Sequence, residues 1–400
     1  MKVLVSIIAT LLLLSTSECG ARETNDDSMD SIRISLLTCS AFEEIYALYG
    51  HTALRVEDMR TGDDVVVNYG VFSFDKPFFV LRFVFGLTDY EMGVEPYRDF
   101  RMKYRHHGCS VTQQELNLTA REKETVLTAM AVNYMPENRV YRYNYFYDNC
   151  TTRARDMIAD HLDGTVDYGE ENFRGPSFRE IVHSCNGHRP WARFGNDLLL
   201  GIGADRPTTR EQYQFLPANM MHDFGEARIT DGDGKSRPLV VSTTTIIAAG
   251  IQEKVREFPL RPAACAVIVL VITIAVTVAE RLTHRRLWVY DLLLMTVFGL
   301  TGIMIFAMLF SQHPTVRVNL QLLVLNPLPL LMMWRMAKRT VRRRYDRQYF
   351  LWTVLIVLFM AGASVQHYAE GMMILALSLL IRNIVKIAEN RKYARQPRHK

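Results

Sequence analysis

The chain has 400 residues, a formal net charge of +5 and 49% hydrophobic residues, and its mean hydropathy is near zero. That length exceeds one ordinary domain and predicts two. The basic excess gathers in short stretches between apolar runs, as at Arg339, Arg342, Arg343, Arg344 and Arg347, which argues against a nucleic-acid partner and for membrane-flanking loops.

The first segment reads as an export signal. Lys2 precedes an apolar run over residues 3–14, and Ser15, Thr16 and Ser17 follow it. The run is shorter than the roughly 20 residues a spanning helix needs, so a signal peptide over 1–17 is expected rather than an uncleaved anchor. Glu18 beside Cys19 argues against lipid attachment there. Of the six cysteines, Cys39, Cys109, Cys150 and Cys185 fall in the exported region. Export permits disulfides, and spacing does not say which. No CxxC or Cys/His cluster is present, so neither a metal nor a cofactor is expected.

Residues 28–258 read as an exported α+β domain. Residues 51–56 alternate like a strand, 60–64 carry turn residues, and 65–74 resume with Val, Tyr and Phe, which predicts a hairpin with His51 at its outer end. The aromatic stretch 77–97 reads as a helix or a membrane-facing flap. A short strand is expected over 113–117. A helix follows over 119–133, with Thr119 and Glu122 as a capping box. Residues 141–147 read as an aromatic strand or turn, and Asp148, Asn149 and Cys150 open a helix running to about His161.

Residues 259–388 read as an all-α bundle of about five transmembrane helices, at 263–279, 288–310, 318–336, 349–365 and 372–385. Asn326, Pro327 and Pro329 should interrupt the third. The loops after segments one and three and the tail 389–400 are strongly basic, whereas 311–319 holds one Arg and 366–371 none. By the positive-inside rule the C-terminus is cytoplasmic and the N-terminal domain lies outside. A signal peptide followed by five spans gives the same orientation.

Cys150 is the most suggestive chemical residue. On the first turn of a helix, free N–H groups and the helix dipole favour a thiolate; a buried or disulfide-bonded structural cysteine is the alternative. A cysteine nucleophile needs an imidazole in reach, and His51 is the natural one, beside a glycine that permits close approach. His106, His107, His161, His183 and His188 compete with it. Asn68, on the returning strand of the hairpin, is the candidate to orient that imidazole; a plain strand residue bonded to backbone is equally consistent. His313 would lie at the outer membrane surface, in a polar cluster or in a simple interfacial loop.

These residues also carry a resemblance. The runs YGHTALRV at 49–56, NYG at 68–70, LNL at 116–118, NYFYDNCTTR at 144–153, WARFG at 191–195, LG at 200–201, ADR at 204–206, FLP at 215–217, HP at 313–314 and NPL at 326–328 resemble, in order, the Lnb-type lipoprotein N-acyltransferases. The resemblance implies a permuted papain-like domain, akin to NlpC and lecithin:retinol acyltransferase-like enzymes. It implies that Cys150 takes an acyl chain from a phospholipid as a thioester, with His51 as base. The acceptor would be the N-terminal amine of a diacylated lipoprotein at a bacterial inner membrane. Asn149, Tyr69 and His313 are then expected to bind substrate. The rival readings are a cell-envelope cysteine peptidase or amidase, disfavoured by the many spans, and a non-catalytic receptor or scaffold, for which Cys150 would be dispensable.

Overall fold

The computed structural model describes residues 29–44, 47–72, 77–170, 172–252, 255–342 and 346–394. The expected signal peptide and the tail beyond residue 394 lie outside them. Contacts divide the chain into two units, Met1–Pro176 with Pro207–Val255, and Ser177–Arg206 with Arg256–Lys400. Residues 177–206, which the sequence pattern groups with the exported domain, thus fold with the C-terminal helices.

The main sheet of the first unit is seven-stranded and wholly antiparallel, with helices on it; a smaller three-stranded sheet lies in the same unit. In chain order come β1 (Ile32–Cys39), β2 (His51–Asp58), β3 (Asp63–Val71), helix α1 (Phe79–Val84), β4 (Asp89–Pro96), α2 (Tyr97–His106), β5 (Val111–Leu116), α3 (Ala120–Tyr134), β6 (Val140–Arg142), α4 (Cys150–Ala159) and β7 (Val240–Ile247). The strand order is β7-β5-β1-β2-β3-β4-β6. The expected hairpin is β2–β3, and Asp58 closes its turn by accepting from the N–H groups of Arg60 and Thr61. The expected capping box on α3 is present, with Thr119 and Glu122 bonding reciprocally.

Strand alternation sorts the core into two faces. Leu54, Val56, Val65, Val67 and Tyr69 pack with Val126 and Met130 of α3 and Ala154 and Ile158 of α4. Leu37, Cys39, Ala53 and Val66 pack with Phe100 and Tyr104 of α2. The aromatic stretch 77–97 departs from expectation. α1 takes residues 79–84 and β4 residues 89–96, where Tyr90 and Met92 alternate into the core while Glu91 and residues 93–96 pair the strand with β3.

The second unit holds α5 (Phe178–Asn186), α6 (Pro190–Leu199), α7 (Pro262–Thr283), α8 (Trp288–Met308), α9 (Leu328–Val341), α10 (Gln348–Gly362) and α11 (Met372–Ala394). Of the five expected spans, Pro262–Thr283, Trp288–Met308 and Leu320–Val341 are long and apolar enough to cross a membrane. The third is interrupted as expected, by a 3-10 turn at Leu320–Leu323 and a restart at Leu328 behind Pro327. The other two fall short for different reasons. α10 has 15 residues, about 22 Å at 1.5 Å per residue, against a hydrocarbon core of about 30 Å. α11 is long enough but carries Arg382 and Lys386. Segment 177–206 is held by the buried Arg179, whose guanidinium bonds Asp197 at 2.8 Å, Asp205 at 2.7 Å and the Leu200 carbonyl at 3.0 Å.

Candidate active site

Cys150 is the first residue of α4, as its sequence context predicts. Asn149 is the cap: its Oδ1 accepts from the N–H groups of Thr151 (2.8 Å) and Thr152 (2.9 Å), and the Thr152 hydroxyl accepts from the Asn149 N–H. Asn149 Nδ2 donates to the carbonyls of Tyr145 and Phe215, both at 2.9 Å. The side chain is buried and its hydrogen bonds are used inside the protein. It therefore works here as a clamp joining α4 to two loops. Asn149→Ala removes the cap and strands two carbonyl contacts, so we expect a loss of about 1–2 kcal/mol, read from denaturant unfolding of the solubilised protein. A change below about 0.3 kcal/mol would show that water replaces the cap.

His51 begins β2. Gly50 precedes it at φ +77°, where a Cβ would lie 2.5 Å from the Cys39 carbonyl oxygen, so only glycine lets β1 and the entry to β2 come this close. His51 Nε2 lies 3.0 Å from Asn68 Oδ1. An amide oxygen only accepts, so Nε2 carries the proton. Asn68 Nδ2 in turn donates to Glu95 Oε1 at 2.9 Å, and Lys103 Nζ donates to the same oxygen at 3.0 Å. With Nε2 engaged, Nδ1 is the nitrogen left for the Cys150 sulfur, with which the imidazole hydrogen-bonds. The structure therefore brings Cys150, His51 and Asn68 into one line, and adds Glu95 and Lys103 behind them.

Electrostatics favour an ionised sulfur. Burial pushes the Cys150 thiol up, but the His51 charge, its hydrogen bond, the Thr52 backbone N–H and the Thr151 hydroxyl outweigh that and bring it down to about 7. Burial pulls His51 down, yet the Cys150 charge and the bonds to Cys150 and Asn68 leave it raised above 6.5. Burial pushes the thiols of Cys39, Cys109 and Cys185 up instead. All five described cysteines are free.

The β3–β4 pairing shifts register between Asn68 and Val71, and Gly70 sits in that irregularity at φ +83°. Such bulges re-aim side chains next to sites. Tyr69 points to the other face, where its hydroxyl meets Asn133 Oδ1 at 3.1 Å and lines an open groove of about 1120 Å³ with Asp148, Arg153 and Asp156. His313 belongs to the helical unit and is buried there, its N–H donating to Ser311 Oγ at 3.3 Å. Among the described residues, no group of three or more His, Cys, Asp or Glu could hold a metal ion.

The family of the chain can now be read from both units. The Lnb N-terminal periplasmic domain matches residues 21–182, and the Lnb transmembrane domain matches residues 253–393. The chain belongs to the Lnb family. No curated protein and no solved structure matches it. Lnb membership suggests a membrane enzyme of lipoprotein maturation with a periplasmic N-terminal domain, and the Cys150 cluster lies inside the matched Lnb periplasmic domain.

Proposed function

We propose that this Lnb protein is a lipoprotein N-acyltransferase with Cys150 as nucleophile, His51 as general base and Asn68 as the group that orients the imidazole. The observation that carries the reading is the Cys150–His51–Asn68 line at the start of a capped helix, with the sulfur titrating at about 7. The Cys150 thiolate attacks an acyl ester of a phospholipid. A lysophospholipid leaves with a proton from His51, and a thioester remains. The amine of a diacylated lipoprotein then attacks the thioester, gives its proton to His51 and departs as an amide. Tyr69 and His313 are the substrate contacts of this proposal. No cofactor takes part.

The helix packed on an antiparallel sheet, with its Cys at the N-terminus and its His on a strand, supports a permuted papain-like domain. Alternating basic loops support five spans in a bacterial inner membrane, a cytoplasmic C-terminus and a periplasmic catalytic domain. Residues 1–17 are the signal, 28–258 the exported region, 259–388 the membrane domain and 389–400 the basic tail. Membrane tethering keeps the enzyme where both lipid substrates reside, which raises their effective concentration.

The test is intact-mass analysis of a reporter lipoprotein's N-terminal peptide from cells lacking N-acylation. The peptide is expected to be triacylated with this protein and diacylated with Cys150→Ala. Diacylated peptide in both, with expression verified, overturns the acyltransferase reading; triacylated peptide in both rejects Cys150 as nucleophile.

A further inference from the structure

Thioester chemistry needs hydrogen-bond donors where the acyl oxygen becomes negative. One is at hand. Asn149 Oδ1 takes the N–H groups of Thr151 and Thr152 and leaves the Cys150 N–H with no acceptor among the described residues. A single backbone donor is a weak oxyanion site, so a second group should face it.

Tyr141 on β6 is 7% exposed, and its buried hydroxyl, which the Gly70 backbone N–H approaches, has no hydrogen-bond acceptor among the described residues. A buried hydroxyl proton with no acceptor is costly and calls for an explanation. Its position supplies one. From the point where a Gly70 side chain would start, the Tyr141 hydroxyl is 3.9 Å away and the Cys150 Cβ is 3.7 Å away. The missing side chain of Gly70 thus leaves a space bordered by both the nucleophile's carbon and a hydroxyl donor without an acceptor.

The ring is also held firmly. The Arg153 guanidinium lies 3.6 Å over it, and Arg153 is itself gripped by both oxygens of Asp148, at 2.6 and 2.9 Å. Burial, and after it the Cys150 charge, pushes the Tyr141 phenol up, so the hydroxyl keeps its proton at neutral pH.

We propose that the Tyr141 hydroxyl is the second oxyanion donor, facing the Cys150 N–H across the space over Gly70. This rests on the acyl-transfer reading above. When sulfur attacks the ester carbon, the C=O π pair moves onto oxygen, and Tyr141 O–H and Cys150 N–H bond that oxyanion. Its collapse re-forms C=O and breaks the ester C–O bond, the leaving oxygen taking the His51 proton. The same two donors serve when the amine attacks the thioester and sulfur leaves as thiolate.

The experiment compares two reactions of Cys150 in the full-length solubilised protein. Acylation by a p-nitrophenyl ester passes through an oxyanion; alkylation by iodoacetamide does not. Tyr141→Phe removes one oxygen and keeps the ring. It is expected to slow acylation about 100-fold while alkylation and its pH profile stay within about twofold of the parent. Equal acylation rates in parent and variant would overturn the assignment. Parallel losses in both reactions would also overturn it, because Tyr141 would then act by shaping the site. A parent that is alkylated but never acylated by the ester would sink the acyl-transfer reading itself, and this inference with it.

Discussion

Replacing His51 with Ala is expected to raise the titration of Cys150 from about 7 to above the ordinary thiol value of about 8.5. The direction follows from what remains. Burial opposes the thiolate, and the His51 charge is the largest influence working against burial. Without it the Thr52 N–H and the Thr151 hydroxyl act alone on a half-buried sulfur. The thiolate is the deprotonated form, so a lower pKa populates it at lower pH. The parent's alkylation rate should therefore rise with pH through about 7 and level off, whereas that of His51→Ala should still be rising past pH 8.5.

Acyl transfer should fall further than thiolate content alone dictates. His51 also delivers a proton to the leaving lysophospholipid and removes one from the incoming amine, and positioned acid–base groups contribute about 10²–10⁴-fold. At pH 9, where the variant's thiolate deficit shrinks, most of the acyl-transfer loss should persist. A variant whose alkylation still turned over near pH 7 would show that the imidazole does not set the thiol, and would move the base to another histidine.

The parts of the site that sequence exposes are those set by local chemistry. Asn149 before a helix is a cap signal wherever it occurs, and the turn at 60–64 fixes the hairpin that brings His51 and Asn68 opposite one another. Glu95 escapes this reading because its role depends on register. It meets Asn68 only since β3 pairs with β4 at Val66–Glu95 and Asn68–Gly93. The alternation of Tyr90, Met92 and Val94 does mark that strand, but the aromatic residues before it obscure the period. α2 is hidden for another reason: Phe100 and Tyr104 are its only buried residues, a single i,i+4 pair amid exposed charges. Tyr141 is legible from neither pattern, since its relation to Cys150 exists only across the gap at Gly70.

In the helical unit, Arg382→Met is expected to cost about 3–5 kcal/mol. Arg382 on α11 bonds Asp291 on α8 through Nε (2.7 Å) and Nη2 (2.8 Å), and Glu280 (2.9 Å) and Thr277 (3.1 Å) on α7 through Nη1. Lys386, one turn later, bonds both oxygens of Glu280 and lies 3.4 Å from Asp291. Every charged side chain in the group is at most 8% exposed. Two cations therefore balance two carboxylates where water is scarce, and three helices meet at the balance. Met keeps the packing of the stem and removes the fork, leaving two carboxylates on one ammonium. The penalty is the uncompensated charge, not the net worth of the ion pair, so it should respond to charge count. Adding Asp291→Asn to Arg382→Met restores neutrality with Lys386 and Glu280, and should recover part of the loss instead of adding to it. Unfolding of the detergent-solubilised protein measures both. Additive losses would mean that shape holds these helices together; a single variant within about 0.5 kcal/mol of the parent would mean that the cluster is hydrated and the charges are screened.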